Sequence, residues 1–401
     1  MKIRSITCFY HPGSHPSKAI AGLAQQIEEL KNQFTSIGWD VQTTRLATVP
    51  FGTYTTPETV VEIIQAIETT ACDHGFNYIS VGPARINHPD EFKLIPKILS
   101  ATRNTFSTGI LTHQHRGIST AAVKACASII TQASSITPDG FTNLRFCAMS
   151  NVKPFTPFFP AAYSYGTQPA FALAIEAADA AIDAFDSAKT IAEGKRNMLA
   201  KMHQAAEELT SVIRQMNLQW ELPFKGFDFS LAPFPEDWCS LALAMETLGV
   251  DRIGMMGSLS AAAILAETLD RGKWLKVGFN GLMLPVLEDS VLAARSVEGS
   301  FSIKDLLMYS AVCGTGLDTV PLPGDITVDE IEPLLMDIAA LSLRLNKPLT
   351  ARLMPVPNLK SGEMTQFDFD FFKNGKILDF PASQLRKTLS TSEWIEIRSR
   401  Q

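Results

Sequence analysis

Strand-like and helix-like patterns alternate along the first 150 residues, and this rhythm constrains the fold more than any other feature of the sequence. Residues 2–9 read as a short strand, 18–37 carry a helical pattern, and 40–47 read as a second strand. Thr56-Pro57-Glu58 then opens a helix with a capping hydroxyl, a first-turn proline and an early carboxylate, and Gly75 closes it. Residues 78–81, 106–111 and 144–149 complete about five strands, most of them joined by helices. Strands joined in this way lie parallel and need cover on their faces, which predicts an α/β sheet flanked by helices.

A stretch at about 168–218 interrupts the rhythm. Residues 171–185 and 197–216 are alanine-rich and periodic, with a break around Gly194, and are expected to form a helical insert that packs and spaces rather than reacts. Alternation resumes after Lys225, with candidate strands at 227–231, 252–253, 275–279, 319–322 and 349–354. Helices are expected near 238–248, 260–269, 290–297 and 328–345. Near the end, 367–372 and 377–380 flank Asn374-Gly375, the strongest short hairpin signal. The expected organisation is one domain over 1–357, with halves at about 1–150 and 225–357, followed by a hairpin and tail over 358–401.

Composition limits the partners. A chain of 401 residues with 46% apolar side chains buries a large core. Its net charge of −6, without a run of Lys and Arg, argues against nucleic acid. The N-terminus lacks the pattern of a secretory signal, and no apolar run reaches membrane-spanning length. Six cysteines are scattered singly, without zinc or redox spacing, so reduced thiols in the cytoplasm are expected.

Residues 311–325, AVCGTGLDTVPLPGD, crowd glycines, prolines, two aspartates and a cysteine between helical patterns, as an exposed loop carrying chemistry would. Asp318 and Asp325 lie there with Gly316 and Cys313. The cysteine is a nucleophile if a basic neighbour stabilises its thiolate, and otherwise a small buried apolar group. Glu288 and Asp289 fall at a helix start, where one complements the dipole and the other can turn inward. Turned inward beside Asp318 and Asp325, it would complete a carboxylate group able to bind Mg²⁺ or Ca²⁺ or to exchange protons. Arg352, a charge inside a predicted central strand, needs a partner such as Asp318 or Asp325.

Other candidates have weaker signals. Asn280 sits between Gly278 and Gly281, and Gly254-Met255-Met256-Gly257-Ser258 precedes a helix and suits either an anion or a plain capped turn. Arg85 and Arg116 follow strands, where they can grip a carboxylate or phosphate or form structural ion pairs. His11, His15, His88, His113 and His115 fall in the same loops, but their spacing matches no zinc signature.

Several of these segments together resemble a known family. Asp228-Phe229-Ser230-Leu231-Ala232-Pro233, Gly281-Leu282 with Pro285-Val286 and Glu288-Asp289 carry the likeness, with Val312-Cys313, Gly316-Leu317-Asp318, Pro323-Gly324-Asp325 and Arg352 with Pro355-Val356-Pro357. They resemble domain-of-unknown-function family 711, also called uncharacterised protein family 0210. The resemblance implies a fold similar to pyruvate formate-lyase: an α/β barrel of ten strands, built from two five-stranded parallel halves set antiparallel. Glycyl radical enzymes of that fold carry an Arg-Val-Ser/Thr-Gly-Tyr type loop near the C-terminus. The tail here, LRKTLSTSEWIEIRSRQ, has no such motif, so no glycyl radical is expected.

The expectation is a cytosolic enzyme that acts on a small polar or anionic metabolite in a barrel-centred pocket, with or without a divalent cation. Asp318, Asp325, Glu288, Asp289 and Cys313 would carry the chemistry. Arg352, Asn280, Gly316, Ser258, Arg85 and Arg116 would bind the substrate. The alternative is a non-catalytic metabolite-binding or regulatory protein, and a homodimer is the base-rate expectation in either case. If the loop were scaffolding alone, its carboxylates would be paired with arginine and no cavity would adjoin them.

Overall fold

The computed structural model describes residues 1–13, 16–217 and 222–400. Among them are the strands β1 (Lys2–Tyr10), β2 (Val41–Thr48), β3 (Tyr78–Ala84), β4 (Thr105–Ile110), β5 (Thr112–His113) and β6 (Gly117–Ser119). The chain continues through β7 (Phe146–Ser150), β8 (Ala170–Glu176), β9 (Phe224–Asp228), β10 (Gly316–Pro323), β11 (Leu349–Val356) and β12 (Trp394–Ile395). Nine of these form one sheet in the order β10-β11-β7-β4-β3-β2-β1-β8-β9. From β7 through β4, β3 and β2 to β1 every pairing is parallel. The pair β8-β9 is internally parallel and joins β1 antiparallel, and β10-β11 joins β7 in the same way.

The two faces of the sheet have different chemistry because successive side chains point to opposite sides of a strand. On the outer face, Ile6, Cys8, Leu46, Ile79, Val81, Phe146, Phe171 and Leu173 join one apolar core with the helices. Helix Pro16–Ser36 contributes Ile20, Leu23, Ile27, Leu30 and Phe34, the i, i+3, i+7 stripe that a helix buries. Each such side chain stabilises the fold by about 1.5–3 kcal/mol. The other face carries Thr43 and Arg45 of β2, Tyr78 and Ser80 of β3, Cys147 of β7 and Arg352 of β11. That face holds the candidate site.

Beyond the ladders, parallel bridges join Phe227 to Lys276, Leu231 to Leu282 and Pro285 to Asp318. Residues 276–285 therefore run between the outermost strands of the sheet, β9 and β10. The architecture is α/β, with a large, mostly parallel central sheet and surrounding helices, as the alternation predicts. None of the described helices is long and apolar enough to cross a membrane.

Four local expectations are corrected. Residues 171–176, placed by their alanines in a helix over 171–185, belong instead to β8, ahead of a shorter helix, Ala178–Asp186. Their alternation of Ala with Phe171, Leu173 and Ile175 is a strand pattern, with small side chains facing inward and large ones outward, and pairing with β1 overrides helix propensity. Residues 252–253 form a turn. The expected strands at 367–372 and 377–380 do not form: an isolated antiparallel bridge joins Met364 to Lys376, and inside it the Asn374 side chain accepts from Phe367 N and Thr365 Oγ1, each at 2.8 Å, in place of a longer ladder.

The fourth correction concerns 311–325, which is largely regular structure. Helix Ile303–Cys313 ends on Gly314 in the left-handed region at φ 80°, and β10 begins at Gly316. A Cβ on Gly316 would lie 2.1 Å from Thr350 O, so glycine is needed where β10 closes on β11. These glycines stop a helix and admit a strand.

Candidate functional site

Buried charges from five segments form one connected chain on the inner face. Glu288, just before helix Ser290–Glu298, accepts from Arg4 Nη2 of β1 at 2.8 Å and from Arg352 Nη2 of β11 at 2.7 Å. Arg352 Nε donates to Asp318 of β10, and Arg4 Nη1 donates to Glu176 at the end of β8. Three carboxylates thus share two guanidiniums. Adjacent strands fix the ends of the chain: Lys2 is in register with Glu176, and β10 lies beside β11.

Asp318 owes its position to an irregularity. Between Leu317 and Val320, β10 has one residue more than the facing stretch of β11, and Thr319 sits at φ 38°. Such a bulge re-aims a side chain, here toward Arg352. The Asp318 side chain is 23% exposed, against 8% for Glu288 and for Arg352, so it is the network member most open to the space beside it.

That space is a cavity of about 90 Å³. Arg4, Arg45, Glu288, Asp318 and Arg352 form its polar wall, while Tyr78, Phe106, Phe158, Phe159 and Phe279 give an aromatic one. Concave, largely apolar sites with a few convergent polar groups are the usual geometry of small-molecule binding. Phe369 and Phe371, from the segment held by Asn374, also line it.

Electrostatics separates the groups. Burial opposes the Arg352 charge, but the attraction of Asp318 and Glu288 outweighs it and holds the guanidinium ionised. Burial pushes the Asp318 carboxyl above its ordinary range; Arg352 pulls it down, while the neighbouring Glu288 charge adds to the rise. The net effect is a raised proton affinity at Asp318. Burial likewise raises the thiol of Cys147 on the cavity wall, which favours the neutral form.

Arg45 behaves differently from its neighbours. Its Nε donates to Thr43 Oγ1 at 2.9 Å, and its guanidinium lies 5.2 Å from the Phe159 ring centroid and 5.7 Å from that of Tyr78. Among the described residues it forms no ion pair. Burial, with the repulsion of Arg4, lowers its pKa to about 9.

The structure brings together only part of the set expected from sequence: Glu288, Asp318 and Arg352. Asp289 is sealed behind them, accepting from Ser240 Oγ, Leu241 N, Ala242 N and Leu292 N. Asp325 is exposed in the turn after β10. Cys313 is buried at its helix end, with Sγ 3.5 Å from Thr315 Oγ1. Asn280 is fully occupied, accepting from Trp274 Nε1 and Phe229 N and donating to Val277 O and Phe227 O. Gly316 serves the strand contact described above.

Ser258 Oγ bonds within its own turn, donating to Met255 O and accepting from Gly254 N. Arg85 is engaged by Glu91 and Gly52 O, the structural reading of that residue. Arg116 lies exposed over Trp394, 3.8 Å from the ring centroid. Among the described residues, no group of three His, Cys, Asp or Glu side chains converges as metal ligands, and His15 lies outside those residues.

Arg4 and Arg45 were not singled out as site residues from sequence, although the signal was present. Each is a charge inside a strand that its parallel neighbours must bury, the argument that identifies Arg352.

Fold and site together define an α/β protein with an arginine–carboxylate network set against an aromatic cavity. The chain belongs to the family described as "Uncharacterised ACR (DUF711)", which matches residues 1–374. A UPF0210 protein of Pyrobaculum aerophilum is 32% identical over 264 residues, covering 62% of this chain and 56% of that protein. One from Pyrobaculum islandicum is 27% identical over 403 residues, covering 91% of this chain and 87% of its own length. One from Lacticaseibacillus paracasei is 27% identical over 331 residues, covering 76% and 71%.

Proposed function

We propose that this protein is an enzyme that acts on a small anionic metabolite in the cavity, by proton transfer and without a protein radical. The observation that carries the reading is the placement of Glu288, Arg352 and Asp318 at one wall of a cavity whose other walls are aromatic. Glu288, gripped by two guanidiniums, keeps Arg4 and Arg352 aligned. Asp318 has one guanidinium, the greater exposure and the raised proton affinity, which suit a group that takes and returns a proton. Complete pairing of the carboxylates would equally suit scaffolding, but scaffolding does not call for the adjoining cavity.

The test is incubation of the purified protein with a fractionated metabolite extract, followed by mass spectrometry. Turnover of at least one anionic component by the wild type, lost in folded Asp318→Asn, is expected. Retention of a component without change by both proteins would overturn the enzyme in favour of a binding protein.

We further infer that residues 276–285 act as a tenth strand that closes the sheet around the cavity, giving a fold similar to pyruvate formate-lyase. Supporting this are the parallel bridges at Lys276, Leu282 and Pro285, and the antiparallel joins of β1 with β8 and β7 with β11. Val277 N donates to Phe227 O and Val286 N to Asp318 O, each at 3.1 Å. Those amides should exchange as slowly as amides in the ladders, and rapid exchange at both would count against closure. A cytoplasmic site of action fits six unpaired cysteines, five of them buried; recovery of the protein outside the cytosolic fraction on cell fractionation would overturn it.

A further inference from the structure

We infer that Arg45 is the receptor for a carboxylate on the ligand, and that the ligand is a small monocarboxylate whose apolar or aromatic remainder lies on the Tyr78–Phe106–Phe159 wall. The inference rests on the cavity being a ligand site, and its starting point is an imbalance. Arg4 pairs with Glu176 and Glu288 and Arg352 with Glu288 and Asp318, whereas Arg45, also buried, has no acid paired with it among the described residues. A buried charge left without a partner is costly, so a fold that retains one has a use for it or loses stability by it.

The geometry selects the missing partner. Thr43 occupies Nε, which leaves the two Nη groups with no acceptor among the described residues. Their paired N–H bonds form a planar fork that matches a carboxylate. The rings of Tyr78 and Phe159 contact the guanidinium without consuming an N–H donor. Tyr78 stands 5.5 Å from Phe106, and Phe106 stands 5.3 Å from Phe159, so the fork lies beside a continuous aromatic surface.

Charge count separates a monocarboxylate from a phosphate. Glu288 and Asp318 line the same cavity of about 90 Å³, and the Glu288 charge is felt at Arg45. With Arg4, Arg352 and Arg45 set against Glu176, Glu288 and Asp318 the wall is already neutral, so a monoanion adds one negative charge and pairs it with Arg45. A dianion adds a second, facing the carboxylates, for which no unpaired cation stands on that wall among the described residues.

Titration calorimetry of the full chain with benzoate, butanoate, inorganic phosphate and neutral benzamide tests this. At least one of the two carboxylates should bind, with benzamide about tenfold weaker or more than benzoate and phosphate weaker than either carboxylate. Arg45→Met should weaken the carboxylate by about 30-fold or more, and Arg45→Lys by less, since it keeps the charge and loses the fork. If Arg45→Met does not fold by circular dichroism, Arg45→Lys carries the test through the same ordering of probes. Undiminished carboxylate affinity in the folded variant, no detectable carboxylate binding, or tighter binding of phosphate would each overturn the assignment. The enzyme reading fails separately, on unchanged metabolites in the Asp318 experiment, so the two failures are distinguishable.

Discussion

Glu288 and Asp289 are chain neighbours, both acidic and both buried, yet the fold gives them opposite work. Asp289 is wholly inaccessible, and its oxygens accept from three backbone N–H groups and one hydroxyl, at 2.6 to 3.1 Å. It ties the start of helix Ser290–Glu298 to that of helix Leu241–Thr247. Among the described residues the Glu288 side chain accepts only from Arg4 and Arg352, whose side chains line the cavity. Backbone donors are fixed to their helices and cannot follow a ligand, whereas guanidiniums can re-aim. The kind of partner, rather than burial or residue type, separates a latch from a site.

The sharpest way to break this contrast is to remove each carboxylate in turn. Asp289→Ala leaves the N–H groups of Leu241, Ala242 and Leu292 without their acceptor in a buried place, and should cost about 4 kcal/mol in urea unfolding. Glu288→Gln keeps an oxygen able to accept from an arginine and should cost less than half as much. Equal losses would mean that Glu288 is a latch as well.

Asp228 sits between the two cases and sharpens the comparison. It accepts from the N–H groups of Phe279 at 2.7 Å and Asn280 at 2.8 Å and from Ser230 Oγ at 2.6 Å, positioning the turn that brings Phe279 to the cavity wall. Burial nevertheless dominates and raises its pKa to about 6 despite those donors. The folded protein therefore holds this proton more tightly than the unfolded chain, for which a value near 3.9 is typical. Stability from this group is complete below about pH 4 and is lost as pH rises through about 6, by at most roughly 2–3 kcal/mol. In paired unfolding experiments, the wild type should lose stability relative to Asp228→Asn over that window. A relative gain with pH would show that the donors prevail and that Asp228 behaves as an ionised latch.

How far the sequence discloses this arrangement depends on the scale of the signal. Helix Val328–Leu345 coincides with its predicted span, because a capping box at Thr327 and Glu330 and a regular apolar stripe agree there. Strand β8 was hidden by alanines that favour a helix locally and a strand only beside β1. In the site, Arg352 and Asp318 were legible as a buried charge and a nearby acid. Arg45 was open to the same reasoning, but that no acid pairs with it among the described residues is a fact of three dimensions. Asp289 could not be separated from Glu288, since one residue of phase at a helix start decides which carboxylate meets backbone and which meets arginine.

Asp318 and Asp325 repeat the contrast at its weakest end. Both come from the segment whose composition suggested an exposed reactive loop, and the sequence offers either as the partner of Arg352. Because β10 continues to Pro323, Asp318 is aimed inward by its bulge, while Asp325 falls in the turn beyond the strand and is exposed. Substitutions at exposed positions free of buried partners usually change stability by less than about 0.5 kcal/mol. Asp325→Ala should therefore melt with the wild type and turn over the same metabolite at the same rate, while Asp318→Asn is inactive. A loss of turnover in folded Asp325→Ala would mean that the surface beyond β10 takes part in the reaction, and that the cavity wall alone does not define the site.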